Sequence, residues 1–206
     1  MRQGRLYVIS GPTAVGKGTL CEEILKDSDD FVLSISATTR KIRSNEKEGI
    51  SYYFKSKEEF EDMITRQMFL EYAKVHDQYY GTPKSFVENM RKEGKNILLE
   101  IDTQGGLQVK KNDSEAILIF IAPPNLETLV ERIHRRGTET EEEVQKRLKN
   151  AALEFSNMDK YDYMVINDDL ATAKNELKNI FCAEKLRIKN NIDLVEEFSE
   201  RTKYYD

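Results

Sequence analysis

The chain has 206 residues, enough for one domain with inserts, and 39% are hydrophobic, enough for a buried core. Its 32 Lys and Arg against 37 Asp and Glu leave a net charge of −5, which argues against a nucleic-acid partner, because such proteins need a cationic surface to displace counterions. No stretch approaches the length of a membrane span, and the start MRQGRLYV lacks the plan of a signal peptide, so a cytoplasmic, reducing compartment is expected. Two distant cysteines, Cys21 and Cys182, make neither a disulfide framework nor a zinc site, and both are expected as buried thiols in helices.

The first apolar run, RLYVIS (5–10), predicts a strand. GPTAVGKGTL (11–20) follows and nearly matches the phosphate-binding pattern G-x-x-x-x-G-K-[ST]. Gly11 and Gly16 let the backbone curl so that successive N–H groups face an anion, and the helix starting near Lys17 adds its positive end. Pro12, Thr13, Ala14 and Val15 complete the loop, with Ala14 where glycine is common. The hydroxyl normally found after the lysine is missing: Gly18 stands there and Thr19 comes one step later. Thr19 lies about 100° further round the helix, so its hydroxyl suits a phosphate oxygen rather than a metal.

Further runs predict strands at FVLSIS (31–36), NILLEID (96–102), AILIFIA (116–122) and YMVIN (163–167). They are nearly continuous rather than alternating, as in strands buried on both faces. Helical patterns lie between them. Thr82–Pro83 reads as an N-cap and first-turn proline, with Gly94 closing that helix. Thr140 and Glu143 stand at capping-box spacing ahead of a helix that puts Val144, Leu148, Ala151 and Phe155 on one face. The fold class is therefore α/β: a parallel sheet flanked by helices. Residues 36–82 break the rhythm, with short mixed strands at best, and 133–149 are dense in charge. Both read as inserts at the sheet's C-terminal edge, where α/β proteins bind ligands. The tail is left open between helix and disorder.

Several residues have chemistry suited to phosphates. Arg40 and Arg43, three apart, offer guanidinium forks, and Tyr52 a neutral donor. Arg132 and Arg136 are four apart and share a helix face, with Arg147 on the next helix. Glu100 and Asp102, two apart on a predicted strand, are expected to emerge on one face. Each of these alone also fits a solvated surface. The histidines His76 and His134 show no triad or metal spacing.

Taken together, SGPTAVGKGT (10–19), SATTRKIRSNEKEGISYYF (36–54), YYGTP (79–83), LLEIDTQG (98–105), FIAPP, RRGTETEEEVQKRL and VINDDL resemble the motifs of guanylate kinase, in that family's order and over about residues 5 to 187. The family often has proline where Ile42 stands and glycine where Asn45 stands; asparagine tolerates a left-handed backbone. The resemblance implies a P-loop ATP:GMP phosphotransferase that also accepts dGMP. It has a core of 1–35, 83–130 and 150–190, a mixed α/β GMP-binding insert over 36–82, a lid over 131–149 and a tail from 191. It implies ATP binding by residues 11–19 with Arg132, Arg136 and Asn167, the last of which could instead cap the next helix. GMP falls to Ser36, Arg40, Arg43, Tyr52, Glu71, Tyr80, Thr82, Glu100 and Asp102, with Glu71 reading the guanine donor edge. Lys17, Arg40, Arg136 and Arg147 carry the transfer. Mg²⁺ arrives with ATP and has no direct protein ligand, Asp102 reaching it through water. A different class of function is a guanylate-kinase-like module that binds phosphopeptides without catalysis; such modules generally lack an intact phosphate loop and lid. A kinase for another nucleoside monophosphate is a second alternative, against which Glu71 and Ser36 argue. Oligomeric state is not legible.

Overall fold

The computed structural model describes residues 3–75, 77–135 and 141–203. His76, Arg136 and Thr140, with its capping box, lie outside the described residues. A five-stranded parallel sheet forms the core, ordered β2 (Phe31–Leu33), β7 (Asn96–Glu100), β1 (Leu6–Ser10), β8 (Ile117–Ala122), β9 (Tyr163–Ile166). Alternation along β1 sends Tyr7 and Ile9 to one face and Leu6 and Val8 to the other. The first face packs on α1 (Lys17–Asp27) and α7 (Leu170–Leu186) through Leu20, Ile24, Leu177 and Phe181. The second packs on α3 (Lys84–Lys92) and α4 (Thr103–Asn112) through Val87 and Val109. β1, β7 and β8 are thus covered on both sides, as their continuous runs predict. The edge strands are not: Leu33, Met164 and Ile166 are exposed.

The predicted 31–36 run does not stay in one strand. β2 ends at Leu33, and Ala37–Thr38 form β3 in a second sheet. That sheet is ordered β4 (Tyr53–Phe54), β3, β6 (Gln78–Pro83), β5 (Phe69–Val75), with β3–β4 parallel and the other pairs antiparallel. The segment is more regular than short mixed strands, because β5 and β6 pair over most of their length. Helix α2 (Lys57–Thr65), closed at its start by a Ser56–Glu59 capping box, covers it. The Phe60 ring stacks on Phe69 at 4.4 Å and on Tyr79 at 5.2 Å. Ala37, Phe60 and Phe69 form a small core separate from that of the parallel sheet.

Thr82 is not an N-cap. β6 runs through Pro83, α3 begins at Lys84 without a side-chain cap, and the Thr82 hydroxyl bonds across the sheet instead. Gly94, at φ 82°, does end that helix, its N–H donating to the Arg91 carbonyl. Helices α5 (Leu126–Arg135) and α6 (Glu141–Phe155) share a core of Leu129, Ile133, Val144 and Ala151, against which Ala14 of the phosphate loop packs. The tail forms helix α8 (Ile192–Thr202). Cys21 is buried but Cys182 is exposed, since it falls on the outer face of α7. Among the described residues no helix is long and apolar enough to cross a membrane.

The separate core of the second sheet makes its stability a local matter. Phe60→Ala removes the ring shared by Phe69 and Tyr79, a loss of about 3–5 kcal/mol. Native-state hydrogen exchange is expected to show protection in β3–β6 and α2 lowered at least about tenfold while β1, β7 and β8 stay protected nearly as before. Equal loss in both sheets would mean that the two cores fold as one.

Candidate functional site

The C-terminal ends of β1, β7 and β8 open onto a cleft, with the second sheet on one side and α5–α6 on the other. The phosphate loop occupies its floor. Three residues there have positive φ: Gly11 at 142°, Ala14 at 63° and Gly16 at 94°. A Cβ at Gly11 would lie 2.1 Å from the Ile121 carbonyl oxygen, and one at Gly16 2.4 Å from the Asn167 amide nitrogen, so neither position admits a side chain. Ala14 takes a left-handed conformation that glycine would adopt at less cost, about 1–2 kcal/mol, which accounts for the glycine common there. Gly16 is the N-cap of α1 and brings no side-chain cap, nor is there an acidic residue in the first turn. The first N–H groups and the helix dipole are left to an anion.

Lys17 lies back across this loop, its Nζ donating to the carbonyls of Gly11 at 2.6 Å and Pro12 at 3.0 Å. Thr19 is exposed on the first turn. Thr13, Ala14, Gly16, Lys17, Gly18 and Thr19 line a cavity of about 330 Å³ with Glu22 and Glu100. A Cβ at Gly18 would stand 3.4 Å from a Glu100 carboxylate oxygen, so Glu100 borders the spot where a hydroxyl-bearing residue usually follows the lysine.

β7 ends at Glu100. Leu99 and Ile101 pack on the same core, so the alternation carries past the end of the strand, and Asp102 is the N-cap of α4, its carboxylate accepting from the Gly105 N–H at 2.8 Å. Glu100 borders the phosphate loop, and Asp102 lies near Glu71 and lines the cavity in front of α6.

Glu71 is buried on β5 opposite Thr82 on β6. The Thr82 hydroxyl donates to its Oε1 at 2.6 Å. Burial holds the Glu71 carboxyl above the usual range, Thr82 opposing and the nearby Asp102 charge adding to the rise. Gly105 keeps the space beside it clear: a Cβ there would lie 3.3 Å from Glu71 Oε2 and 3.5 Å from Asp102 Oδ1. This is a buried acceptor with one oxygen anchored and the other turned to a small space, the arrangement a pair of N–H donors needs.

Beyond it, on the second sheet, the Arg40 guanidinium sits 5.5 Å from the centre of the Tyr52 ring, whose centroid is 6.1 Å from that of Tyr80. Glu46 holds Arg40 by two bonds, at 2.6 and 3.1 Å, and accepts the Arg43 backbone N–H at 2.9 Å. Arg40 keeps the Glu46 carboxyl below its ordinary range. Glu46 thus fixes the Arg40 side chain and the backbone at Arg43. The Arg43 side chain is exposed. Asn45 is not the left-handed residue of this segment; Gly49 is, at φ 70°. Ser36 is half-buried just before β3.

On the other side, Arg147 of α6 donates to the Thr13 hydroxyl at 3.0 Å. Arg132 of α5 donates to the Asn167 carbonyl at 2.8 Å, and the Asn167 amide to the Val15 carbonyl at 2.7 Å. Asn167 therefore clamps the loop from the end of β9. It does not cap α7, which Asp169 caps by accepting the Thr172 N–H.

The sequence profile of guanylate kinase matches residues 3–184. The chain belongs to the guanylate kinase family. A guanylate kinase from Clostridium tetani is 51% identical, with both chains covered in full. The crystal structure of guanylate kinase from Anaplasma phagocytophilum superposes with a TM-score of 0.70 at 33% identity, covering 90% of this chain and 88% of that one. The SH3-kinase fragment of tight junction protein 3 shares the fold alone, at 13% identity and a TM-score of 0.51.

The Asn167 clamp is testable apart from catalysis. Asn167→Ala leaves the buried Val15 carbonyl without its donor, at about 1–3 kcal/mol. Thermal melting is expected to fall by about 3–8 °C, with KM for ATP raised about tenfold and KM for the acceptor changed less than threefold. An unchanged ATP KM would mean that the loop keeps its shape without Asn167.

Proposed function

We propose that this guanylate kinase family member transfers the γ-phosphoryl group of ATP to the phosphate of GMP, giving ADP and GDP, with dGMP as a second acceptor. The observation that carries the reading is the buried Glu71–Thr82 pair, set across the cleft from an uncapped phosphate loop. Guanine presents adjacent N–H donors along one edge, which a carboxylate meets in parallel bonds. Adenine presents an acceptor there and leaves Glu71 Oε2 buried without a donor, Thr82 holding only Oε1.

GMP sits on the second sheet with its base at Glu71, Thr82 and Ser36, bordered by Asp102, and its phosphate among Arg40, Arg43, Tyr52 and Tyr80. ATP lies with its phosphates on the N–H groups of residues 11–19. An oxygen of the GMP phosphate attacks the γ-phosphorus in line, the bond to the β,γ-bridging oxygen breaks, and ADP leaves with the electron pair. Both reactants are oxyanions, so no strong base is required, and catalysis is positioning with charge neutralisation. Lys17 turns from the Gly11 and Pro12 carbonyls to the β- and γ-phosphates. Arg132 and Arg147 bring positive charge from the lid side, a role that the family resemblance extends to Arg136.

Mg²⁺ bound with ATP supplies charge neutralisation on the β- and γ-oxygens. The residues fit a hydrated ion. Gly18 offers no hydroxyl, and Glu100 and Asp102 are two carboxylates near enough to the cleft to accept from its waters. Among the described residues no group of three or more acidic, His or Cys side chains could hold a metal. Mg²⁺ retains waters readily, so few protein ligands suffice. The catalysis-free alternative is not favoured, since Lys17, an uncapped loop and the lid-side arginines are all in place.

Steady-state kinetics with GMP and AMP test the reading. The wild type is expected to prefer GMP by about 10⁴-fold in kcat/KM, and Glu71→Gln to lose about 100-fold or more on GMP. Donors on the base favour the ionised form of a carboxyl that burial holds up, so KM for GMP is expected to rise as pH falls through the raised pKa of Glu71. Equal use of GMP and AMP, or an unchanged variant, would falsify the assignment.

A further inference from the structure

Ser10 ends β1, one residue before the phosphate loop, and its side chain crosses to α4. It is fully buried, and its hydroxyl donates to the Asp102 carbonyl at 3.3 Å. That carbonyl also accepts the Gly106 N–H at 3.0 Å, while the Asp102 carboxylate accepts the Gly105 N–H. Ser10 is thus a tie from the central sheet onto the cap of α4.

The turn it holds is wedged. On one side, a Cβ at Gly106 would lie 2.6 Å from the Tyr161 phenol oxygen and 3.0 Å from Ser10 Oγ, with a Val8 methyl next at 3.4 Å. On the other, a Cβ at Gly105 would lie 3.3 Å from Glu71 Oε2. Further along α4, the Gln108 side chain accepts the Tyr72 N–H at 3.3 Å, and the Asn112 side chain donates to the Leu70 carbonyl at 2.7 Å. The helix therefore holds β5 on both sides of Glu71. A displacement of its first turn at Ser10 is passed to the Glu71 carboxylate, because interiors packed this closely transmit strain.

We propose that Ser10 is a positioning residue for the acceptor base, acting through the Asp102 carbonyl. Its hydroxyl sets how α4 sits on β1, and α4 sets the space in front of Glu71 Oε2. The inference rests on the ATP:GMP reading above. Ser10 adjoins the ATP loop in sequence, yet its side chain governs the fit of GMP. The Tyr161 phenol oxygen faces the same spot, buried and without a hydrogen bond of good geometry, so it fills space there rather than holding a partner.

The test is steady-state kinetics of the full chain with Mg²⁺, each substrate varied in turn. Ser10→Ala leaves the Asp102 carbonyl its Gly106 donor, so the variant is expected to fold. Losing one neutral hydrogen bond is expected to raise KM for GMP about three- to tenfold, with kcat and KM for ATP changed less than about twofold. Gly106→Ala overpacks the same contact and is expected to raise KM for GMP at least about fivefold. Tyr161→Phe removes the nearest clashing atom. Alone it is expected to stay within about twofold of wild type, and combined with Gly106→Ala to recover about half or more of the loss, since the two sites are in contact. A role confined to the shape of the loop would instead raise KM for ATP. That result in Ser10→Ala overturns the proposal, as does an unchanged KM for GMP; so does a Gly106→Ala variant that folds and that Tyr161→Phe fails to rescue. If Gly106→Ala does not fold, Ser10→Ala decides alone. A chain that does not phosphorylate GMP overturns the parent reading and this one with it, whereas a chain that does so with KM for GMP indifferent to Ser10→Ala overturns this one alone.

Discussion

Two phosphate-bearing substrates must be brought into in-line contact although each repels the other. In the proposed reading the compensating charge is distributed over elements that meet at the cleft. Backbone N–H groups and Lys17 come from the β1–α1 junction, Arg40 and its tyrosines from the second sheet, and Arg132 and Arg147 from the α5–α6 pair. None of these groups is a strong base or nucleophile. Their effect depends on position and on a cleft from which water can be displaced, where charge is less screened than in solvent. The rigid member is the floor. Gly11 and Gly16 have no room for side chains, and Asn167 ties the loop to the end of β9.

In the proposed reading, recognition of the acceptor base depends on a cost already present in the fold. Glu71 is buried with a single side-chain partner, and burial disfavours its ionised form. Such a site would be selective, because a base without adjacent donors leaves the carboxylate unsatisfied. It also accounts for Gly105, where any side chain would crowd the space between Glu71 and Asp102. The core around Phe60 is separate from the two that flank the parallel sheet.

What the sequence made legible was what is local. The phosphate loop and the central strands are determined by contiguous residues, and the structure agrees with both. Pairings across long separations were not legible. Thr82 before Pro83 looked like a cap because the competing partner, Glu71, lies eleven residues away on another strand. Glu71 was identified only through the family resemblance; by itself it resembled a surface charge.

Phosphorus NMR of a mixture of ATP, GMP and Mg²⁺ with the full chain observes the transfer itself. The account predicts that ADP and GDP resonances grow in equal amounts while inorganic phosphate stays near its background, because the acceptor is a phosphate oxygen held in place and not water. Inorganic phosphate as the main product, or an ADP signal without GDP, would contradict it.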